Sequence, residues 1–534
     1  MSSPNTSKAK HKANVFWFNK ARIRIIILAL LFLIEIGAVV ALIIFTYVYD
    51  LPWLNFIYVL AEIFSIIVAI PIVNSRMDPA YKVTWLVFML INSVIGATFY
   101  LLFGNKKFSK REKKKIKPSL TSLEGAMNSP EANGIASKLK PEDGDLYNFA
   151  TYIKGRSYTD TYSNTKTTYF AWGEEAFPVM LEKLRQAKHY IFLEYFIIQP
   201  GLFWNSILAI LEEKAKRGVD VRVIYDDLGC LSTLPPNYDI ELKKKGIHTV
   251  KYAPLRTLFN IRMNNRDHRK IMVIDGHTGF TGGINLADEY INEIVRFGKW
   301  KDTAIMLEGD GVFGLTNLFL STWVRLNNLT THINFKNYLP ARYISEAPLA
   351  KGSGYVAPYG SIPYTYETVG LNIYTMLCYR AKKYLDISTP YLVLNKEMEE
   401  AISQAAKNGV RVRLCTPAIP DKKIVFELTR SYYRNLLKSG VEIYEYTPGF
   451  VHQKMFLVDG NMATVGTINL DYRSLFLHAE NGCFLYGCEC IADIKKDFDN
   501  TFRVSKQITL EEYFKTSRIK RLFRAILRIF APLM

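Results

Sequence analysis

The segment His-Arg-Lys-Ile-Met-Val-Ile-Asp-Gly at residues 268–276 recurs further along the chain as His-Gln-Lys-Met-Phe-Leu-Val-Asp-Gly at residues 452–460. Each copy has the spacing His-x-Lys-x-x-x-x-Asp, and Asn285 lies as far beyond the first copy as Asn469 lies beyond the second. One such match arises only rarely by chance in a chain with eight histidines, and two matches in register are far rarer. The sequence therefore predicts an internal duplication.

Each copy is typical of a strand that ends in a tight turn. His and Lys two residues apart on a strand point to one face, and the Asp-Gly pair predicts a hairpin that returns the downstream Asn toward the His. Imidazole can attack or protonate near neutral pH, while ammonium and carboxamide groups can donate to phosphoryl oxygens. The candidate catalytic residues are His268, Lys270, Asp275, His452, Lys454 and Asp459, and the candidate phosphate-binding residues are Asn285 and Asn469.

Short apolar strands alternate with amphipathic helices over the region that contains both motifs. A strand, a helix, a turn with glycine and a second strand occur within residues 190–225 and again within residues 384–414. This alternation favours α/β domains. The predicted fold class is α/β, with two repeated α/β/α halves related by pseudo-twofold symmetry. Their predicted limits are 151–332 and 333–514, after a basic linker at 105–150.

Three apolar segments precede this region. Each is near the ~20 residues that cross a bilayer as a helix, a length rare in soluble core helices. The segments are roughly Ile23–Val48, Leu54–Val73 and Val83–Phe103. The first has no small-residue cleavage site, so we expect a retained anchor, and we expect Glu35 and Glu62 to serve helix packing or to lie at the interface. The sequence thus predicts transmembrane helices within residues 23–104, after a basic tail at 1–22.

Basic residues flank the apolar segments on both sides, with six near the start of the first segment and eight between Lys106 and Lys117. Both flanks favour the cytoplasmic side, which three full crossings cannot satisfy. The number of crossings is therefore open between two and three. The dense basic run after the third segment opposes translocation most strongly, so we expect a multi-pass protein of the cell membrane with both halves in the cytoplasm.

The overall charge favours an anionic partner. The chain has 68 Lys and Arg against 49 Asp and Glu, a formal net charge of +19, which suits either nucleic acid or an anionic membrane. Six scattered cysteines do not have the spacing of a zinc site, and we expect reduced core thiols. Neither a P-loop nor a dinucleotide-binding glycine motif is present, so no nucleotide cofactor is expected.

The carboxyl terminus, residues 515–534, is predicted to be a basic amphipathic helix. From Arg518 to Phe530, arginines at helical spacing form one stripe, and leucine, isoleucine and phenylalanine form an apolar face. We expect the apolar face to lie on the membrane leaflet that supplies the active site. The alternative is that this face packs on the second half, as terminal helices often do.

The paired motifs resemble the signature of the phospholipase D superfamily, in which two halves form one active site. The resemblance implies that one histidine forms a phosphohistidine and the other acts as acid and base, without a metal or cofactor. It favours His268 as the nucleophile and His452 as the acid/base, although the residues alone leave the assignment open. Glu480 lies where the superfamily has an acid that orients a histidine, and Asp302 resembles its displaced counterpart in the first half.

Other motif features receive more modest roles. Asp275 and Asp459 lie beside the turns, so they are expected to be structural more than chemical. The remaining histidines have no comparable partners in the sequence, and we expect ordinary surface or core residues. They are His11, His189, His248, His277, His332 and His478.

Within the superfamily, nearly the whole chain resembles bacterial cardiolipin synthases, through segments such as Leu193–Ile198, Tyr225–Gly229, Gly282–Tyr290, Thr389–Tyr391 and Val465–Ser474. The resemblance implies that two phosphatidylglycerols give cardiolipin and glycerol, with phosphatidylglycerol and anionic membrane lipids as partners and no nucleic acid. The alternatives are phospholipase D or a phosphatidyltransferase with another acceptor, and, more remotely, a membrane-anchored nuclease. Acyl preference and oligomeric state stay open.

Overall fold

The structure is a computed structural model in which two compact units can be distinguished. The amino-terminal unit consists mainly of the residues up to Lys107, and the larger unit contains most of the residues after it. The structure describes residues 54–104, 121–254, 265–327, 333–343, 352–363 and 367–533, together with positions 37, 40, 41, 44 and 117.

The described part of the amino-terminal unit is helical. Its elements are α1 (Leu54–Val73), α2 (Pro79–Ile91), α3 (Ser93–Phe99) and a π-helical turn (Tyr100–Gly104). The Asp78 side chain caps α2 by accepting a hydrogen bond from the Ala80 N–H, and Pro79 occupies the first helical position. Asn92 has an extended backbone between α2 and α3, and its side chain accepts from the Ile95 N–H. This residue therefore ends one helix and starts the next.

The prediction of amino-terminal transmembrane helices is wrong for the residues that the structure describes. Among them, no helix combines the length and the apolar character needed to span a bilayer. The third predicted segment is divided at Asn92 into helices of 13 and 7 residues, both short of the ~20 that a crossing requires. The second contains Glu62, which accepts a 2.7 Å hydrogen bond from the Ser93 hydroxyl. The first segment and Glu35 lie outside the described residues, apart from isolated positions.

The first half of the larger unit is built on a seven-stranded mixed sheet. Its strands are β1 (Thr165–Phe170), β2 (Tyr190–Tyr195), β3 (Asp220–Asp226), β4 (His248–Tyr252), β5 (Lys270–Ile274), β6 (Thr278–Gly282) and β8 (Ala304–Gly309). They lie in the order β1-β8-β6-β5-β2-β3-β4, with β2, β3 and β4 mutually parallel. The α-helices of this stretch are α4 (Asp145–Ser157), α5 (Gly173–Gln186), α6 (Leu202–Lys216), α7 (Tyr238–Lys244) and α8 (Val312–Leu326).

The second half is built on an eight-stranded sheet. Its strands are β9 (Tyr355–Ser361), β10 (Tyr384–Ser388), β11 (Arg411–Pro417), β12 (Glu442–Tyr446), β14 (Met455–Val458), β15 (Met462–Gly466), β16 (Glu480–Tyr486) and β17 (Ser505–Ile508). Their order is β17-β12-β11-β10-β14-β15-β16-β9. The α-helices are α9 (Val369–Arg380), α10 (Lys396–Lys407), α11 (Lys423–Lys438), α12 (Tyr472–Phe476), α13 (Cys490–Arg503), α14 (Leu510–Phe514) and α15 (Arg518–Phe530).

The two sheets have the same connectivity. Reading the second sheet from β9 gives the order of the first sheet from β1, with β17 added at the far edge. Each histidine motif starts the strand that pairs antiparallel with the first parallel strand, namely β5 beside β2 and β14 beside β10. The Asp-Gly hairpins form as predicted, with positive φ at both residues of each pair. The predicted duplication is therefore confirmed, whereas the exact domain limits stay predictions.

The halves share a seam and a core. Strands β7 (Lys299–Lys301) and β13 (Gly449–Val451), one from each half, pair in parallel. Helix α4 packs on the second sheet, where the Phe149 ring stacks on Phe484 with centroids 4.2 Å apart. One buried apolar cluster contains side chains of both sheets. All six cysteines are free and buried, which confirms the expected core thiols.

The motif aspartates fix each hairpin to the neighbouring strand. The Asp275 carboxylate accepts hydrogen bonds of 2.7, 2.8 and 2.8 Å from the N–H groups of residues 188–190, at the start of β2. Asp459 does the same for residues 382–384, with three bonds of 2.8 Å at the start of β10. These carboxylates satisfy backbone donors, so their role in the fold is structural.

We predict that Asp275→Ala lowers the free energy of unfolding by more than about 2 kcal/mol, because three backbone donors lose their acceptor. Asp275→Asn keeps one acceptor oxygen and tolerates the positive φ of 49°, so its cost should be clearly smaller. Urea unfolding followed by fluorescence measures both variants. An alanine variant that unfolds like the wild type but has lost its activity would show that this carboxylate acts in chemistry.

Candidate active site

Both motif histidines lie at the seam between the halves, each held by the other half. The His268 N–H donates to the Ala479 carbonyl at 2.8 Å, and the His452 N–H donates to the Lys301 carbonyl at 2.7 Å. Both residues are buried. The two backbone bonds are reciprocal, so the halves position each other's imidazoles.

His268 is paired with a carboxylate of the second half. Its Nδ1 lies 3.0 Å from each carboxylate oxygen of Glu480, which is fully buried at the start of β16. The Thr467 hydroxyl also donates to Glu480 and fixes the carboxylate. A carboxylate at Nδ1 favours the tautomer with a proton there, which leaves Nε2 with a free lone pair. His268 thus has the arrangement expected of a nucleophile or base.

His452 has the reciprocal arrangement. Its Nδ1 lies 2.6 Å from Asp302 Oδ2, and Asp302 comes from the segment between β7 and β8 of the first half. A Cβ at Gly283 would lie only 2.0 Å from Asp302 Oδ1, so a residue without a side chain is needed there. The structure therefore brings together all four predicted groups in two pairs that cross the seam.

The motif lysines lie beside their histidines. Lys270 Nζ donates to the His268 carbonyl at 2.6 Å, and Lys454 Nζ donates to the His452 carbonyl and lies 2.7 Å from His452 Nδ1. Burial lowers the pKa of Lys270 to about 7 and that of Lys454 to about 8, although nearby carboxylates oppose the shift. The charge of each buried lysine is therefore costly and would be offset by a bound anion.

Burial also favours neutral imidazoles. It lowers the pKa of His268 to about 3, against the opposing charge of Glu480, and it lowers the pKa of His452 well below its ordinary value, with both lysines adding to the effect. Burial raises the pKa of Asp302 to about 6, partly offset by Lys454. Burial would raise the pKa of Glu480, but its contacts with the imidazoles of His268 and His478 lower it well below its usual range.

The two motif asparagines differ in their surroundings. Asn285 is buried with both ends of its amide engaged, since its oxygen accepts from the Ile197 N–H at 3.1 Å and its nitrogen donates to the Tyr290 hydroxyl at 2.7 Å. The Asn469 side-chain oxygen is buried and has no hydrogen-bond partner among the described residues. Of the two, Asn469 has the free polar atom that a substrate contact needs.

His478, which the sequence predicts to be an ordinary surface or core residue, lies beside the His268–Glu480 pair. Its Nδ1 lies 3.7 Å from Glu480 Oε1, and its ring centroid is 5.9 Å from that of His268. The signal was present, because residues 478 and 480 are two apart where a strand begins and so share a face. The ligand atoms of His268, His478 and Glu480 lie within 4.8 Å of one another, so this group could hold a metal ion.

Aromatic side chains that the sequence did not identify as site residues surround the two motif imidazoles. The Phe196 ring meets His268 edge to face with centroids 5.0 Å apart, and it also lies 5.6 Å from Lys270 Nζ. Trp300 and Tyr290 lie 5.4 and 5.5 Å from the His452 ring. These apolar walls exclude water from the charged groups, which strengthens their interactions.

Two buried imidazoles on carboxylates, with two buried ammonium groups beside them, are suited to displacement at phosphorus. One imidazole can attack while the other moves a proton, and the ammonium groups can offset charge on phosphoryl oxygens. Asp275 and Asp459 lie at the far ends of the hairpins, bonded to backbone N–H groups instead of imidazoles.

Comparison with family models finds two matches. A model described as cardiolipin synthase, phospholipase D-like domain, matches residues 180–295 and 376–502, one segment in each half. A model described as phospholipase D-nuclease N-terminal matches residues 63–105. Both histidine motifs lie within the matched segments, one in each half.

Similar proteins cover most of the chain. An uncharacterized protein of Streptococcus mutans is 43% identical over 465 residues, which is 87% of this chain and 98% of that protein. A cardiolipin synthase of Halalkalibacterium halodurans is 33% identical over 480 residues, covering 89% of this chain and 93% of that protein. The crystal structure of phosphatidylserine synthase from Haemophilus influenzae shares the fold, with a TM-score of 0.54 and 16% identity over 73% of this chain and 98% of that one. The chain therefore belongs to the bacterial cardiolipin synthase family of the phospholipase D superfamily.

Proposed function

We propose that this chain is a cardiolipin synthase, which transfers a phosphatidyl group from one phosphatidylglycerol to another and releases glycerol. The observation that carries the proposal is the pair of buried His–carboxylate contacts across the seam, with a lysine beside each imidazole. Family membership supplies the lipid substrate class. One phosphodiester is exchanged for another, so no nucleotide is consumed.

In the first step, His268 is the nucleophile. Its Nε2 lone pair attacks phosphorus, so that an N–P bond forms as the P–O bond to the glycerol headgroup breaks. Glu480 accepts the Nδ1 proton's hydrogen bond and stabilises the positive charge that develops on the imidazole. The low pKa of His268 supports this role, because the attacking imidazole must be neutral.

His452 moves the protons. It donates a proton to the leaving glycerol oxygen in the first step, and in the second it takes the proton of the incoming headgroup hydroxyl as that oxygen attacks phosphorus and the N–P bond breaks. Asp302 orients the ring and stabilises its protonated form. Burial disfavours that form, so binding of the anionic phosphodiester must raise the His452 pKa.

Lys270 and Lys454 stabilise the phosphoryl oxygens. Both ammonium groups donate to the carbonyls of their own histidines, which places them beside the attacking and protonating imidazoles. Asn469 is a further proposed substrate contact, because its amide oxygen has no other partner among the described residues and can accept a hydrogen bond from a headgroup hydroxyl. Asn285 instead acts through Tyr290, whose ring contacts His452.

The chain is a membrane-associated bacterial protein by its relatives, and we place its two halves at the cytoplasmic face. The eight basic residues between Lys106 and Lys117 support this side, because the cytoplasmic leaflet is rich in anionic lipid. Protease added outside intact cells should therefore spare both halves.

We predict that the full chain, supplied with phosphatidylglycerol in the presence of EDTA, forms cardiolipin and free glycerol in equal amounts. Both imidazoles and both ammonium groups belong to the protein, so the exchange should not depend on an added metal. Thin-layer chromatography of the lipids and an enzymatic glycerol assay measure the products. Phosphatidic acid as the main product would show that water is the acceptor, and activity that needs a divalent ion would contradict the metal-free step.

We predict that His268→Ala and His452→Ala both abolish turnover, but that only His452→Ala accumulates lipid-labelled protein. In His452→Ala, His268 can still attack phosphorus and form the N–P bond when the substrate has a good leaving group. The second step then stops, because the base that activates the acceptor hydroxyl is absent. The protein is denatured in urea at neutral to mildly alkaline pH, because the N–P bond is labile in acid, and is then analysed by mass spectrometry. Label on His268→Ala and none on His452→Ala would reverse the assignment of the two histidines.

We predict that kcat/KM falls as the pH rises through about 7 to 8, where Lys270 and Lys454 lose their protons. The sign follows from their lowered pKa values, because a deprotonated lysine no longer attracts the phosphodiester. Lys270→Arg should move this alkaline limit upward, because a guanidinium stays protonated. The exposed Lys496→Arg is the control and should leave the pH profile unchanged. An unmoved limit in both Lys270→Arg and Lys454→Arg would contradict the assignment.

A further inference from the structure

The carboxyl-terminal helix α15 is amphipathic, and its basic side faces the protein. Arg524 is 2% exposed and pairs with Glu427 at 2.9 Å, and Arg528 pairs with Glu399 at 3.1 Å. Lys520 reaches the same Glu427 at 2.9 Å. Both acids lie on helices of the second half, α10 and α11, so ion pairs bind α15 to its domain.

Aromatic rings support the same orientation. The Arg524 guanidinium lies 5.9 Å from the centre of the Tyr513 ring, and that of Arg528 lies 4.2 Å from the Tyr432 ring. Arg521 lies 5.3 Å from the Phe514 ring. Partly desolvated cations on acids and rings are costly to separate, because each would leave a buried partner behind. The basic side of the helix is therefore held inward.

The opposite side of α15 consists of large apolar residues directed to solvent. Ile519 is 83% exposed and Leu522 is 64% exposed, and Phe523 and Ile526 are each nearly half exposed. We call these four side chains the apolar face. A terminal helix that merely packed on its domain would bury this side and expose its arginines. In this helix the arginines contact the domain and the four apolar side chains are exposed. The alternative prediction, that these apolar side chains pack on the second half, is therefore wrong.

We propose that the apolar face is a membrane-docking surface that inserts into the outer part of a phospholipid leaflet. Docking would hold the active site at its lipid substrate, and this purpose, unlike the docking itself, rests on the proposed function. The ion pairs with Glu427 and Glu399 fix the helix so that its apolar side stays outward. Insertion removes four large side chains from water without any directional contact.

Charge selects lipid over a protein partner as the occupant. Arg518 is exposed at the first turn of α15. The side chains of Lys515 and Lys506 are 71% and 59% exposed and pair with Glu511 and Glu512 at 3.1 and 2.8 Å. Exposed ion pairs of this kind are weak, so both lysines can also contact phosphate. These cations lie near the apolar face in the sequence and suit phosphate headgroups around inserted apolar side chains. The apolar face itself offers no polar group with which to recognise a specific protein.

The test uses the full chain with a fluorophore at one position. All six native cysteines are buried, so an introduced surface cysteine can be labelled selectively. Leu522→Cys places the label on the apolar face, and Ile240→Cys, at a 49% exposed position on α7, is the matched control. Vesicles of phosphatidylserine and phosphatidylcholine with brominated acyl chains serve as the probe, because they contain no phosphatidylglycerol and bromine quenches only labels that reach the acyl region.

The expected result is strong quenching and a blue shift for the label at position 522 and neither for the label at position 240. Because each label reports its own position, membrane binding by another part of the chain does not alter the outcome. Lack of quenching at position 522 on vesicle-bound protein would overturn the proposal. Energy transfer between labelled copies instead of quenching would also overturn it, in favour of a surface that binds a second copy.

A functional variant separates docking from chemistry. The substitutions Leu522→Gln, Phe523→Gln and Ile526→Gln should lower activity on phosphatidylglycerol vesicles at least about tenfold while leaving activity on detergent-dispersed lipid unchanged. Equal loss in both assays with a lowered melting temperature would mean that the apolar face is part of the fold and would contradict docking. Quenching at position 522 in a chain that forms no cardiolipin would instead retain the docking surface and refute the proposed function.

Discussion

Two carboxylate–imidazole contacts, each formed across the seam between the halves, are the interactions on which the site depends. Glu480 of the second half holds His268 of the first, and Asp302 of the first half holds His452 of the second. Neither half alone contains a motif imidazole together with the carboxylate that contacts it. The duplication is therefore functional as well as structural, because the site exists only when the two sheets dock.

Burial determines how these groups can act. A buried charge is stable only when it is paired, so burial favours neutral imidazoles and weakens the protonation of Lys270 and Lys454. In the proposed mechanism, the bound phosphodiester is the anion that stabilises the charged forms of these groups. The same rule orients α15, where Arg524 and Arg528 turn inward because Glu427 and Glu399 neutralise them, and the apolar side is left for lipid.

Much of the fold and site could be predicted because each motif has the two-residue periodicity of a strand and ends in an Asp-Gly turn. The spacing of His268 and Lys270 and the hairpin at Asp275 follow from local geometry alone. Local geometry does not show which side chains become neighbours after folding. The contact of His478 with Glu480 and the hydrogen bonds of Asn285 to Ile197 and Tyr290 were therefore not predicted. The break at Asn92 was missed because a single polar residue hardly changes the apolar character of a long segment.

The crossed pairing can be tested with a phosphatidyl ester of p-nitrophenol, whose leaving group needs no protonation. The measurement is the pre-steady-state burst of p-nitrophenol in Glu480→Gln and Asp302→Asn, compared with His268→Ala and His452→Ala. We expect Glu480→Gln to slow the burst, because His268 loses the carboxylate that supports its attack, and His268→Ala to abolish it. We expect Asp302→Asn and His452→Ala to retain the burst. A burst that persists in Glu480→Gln and is slowed in Asp302→Asn, with the histidine variants unchanged in their behaviour, would contradict the pairing across the seam.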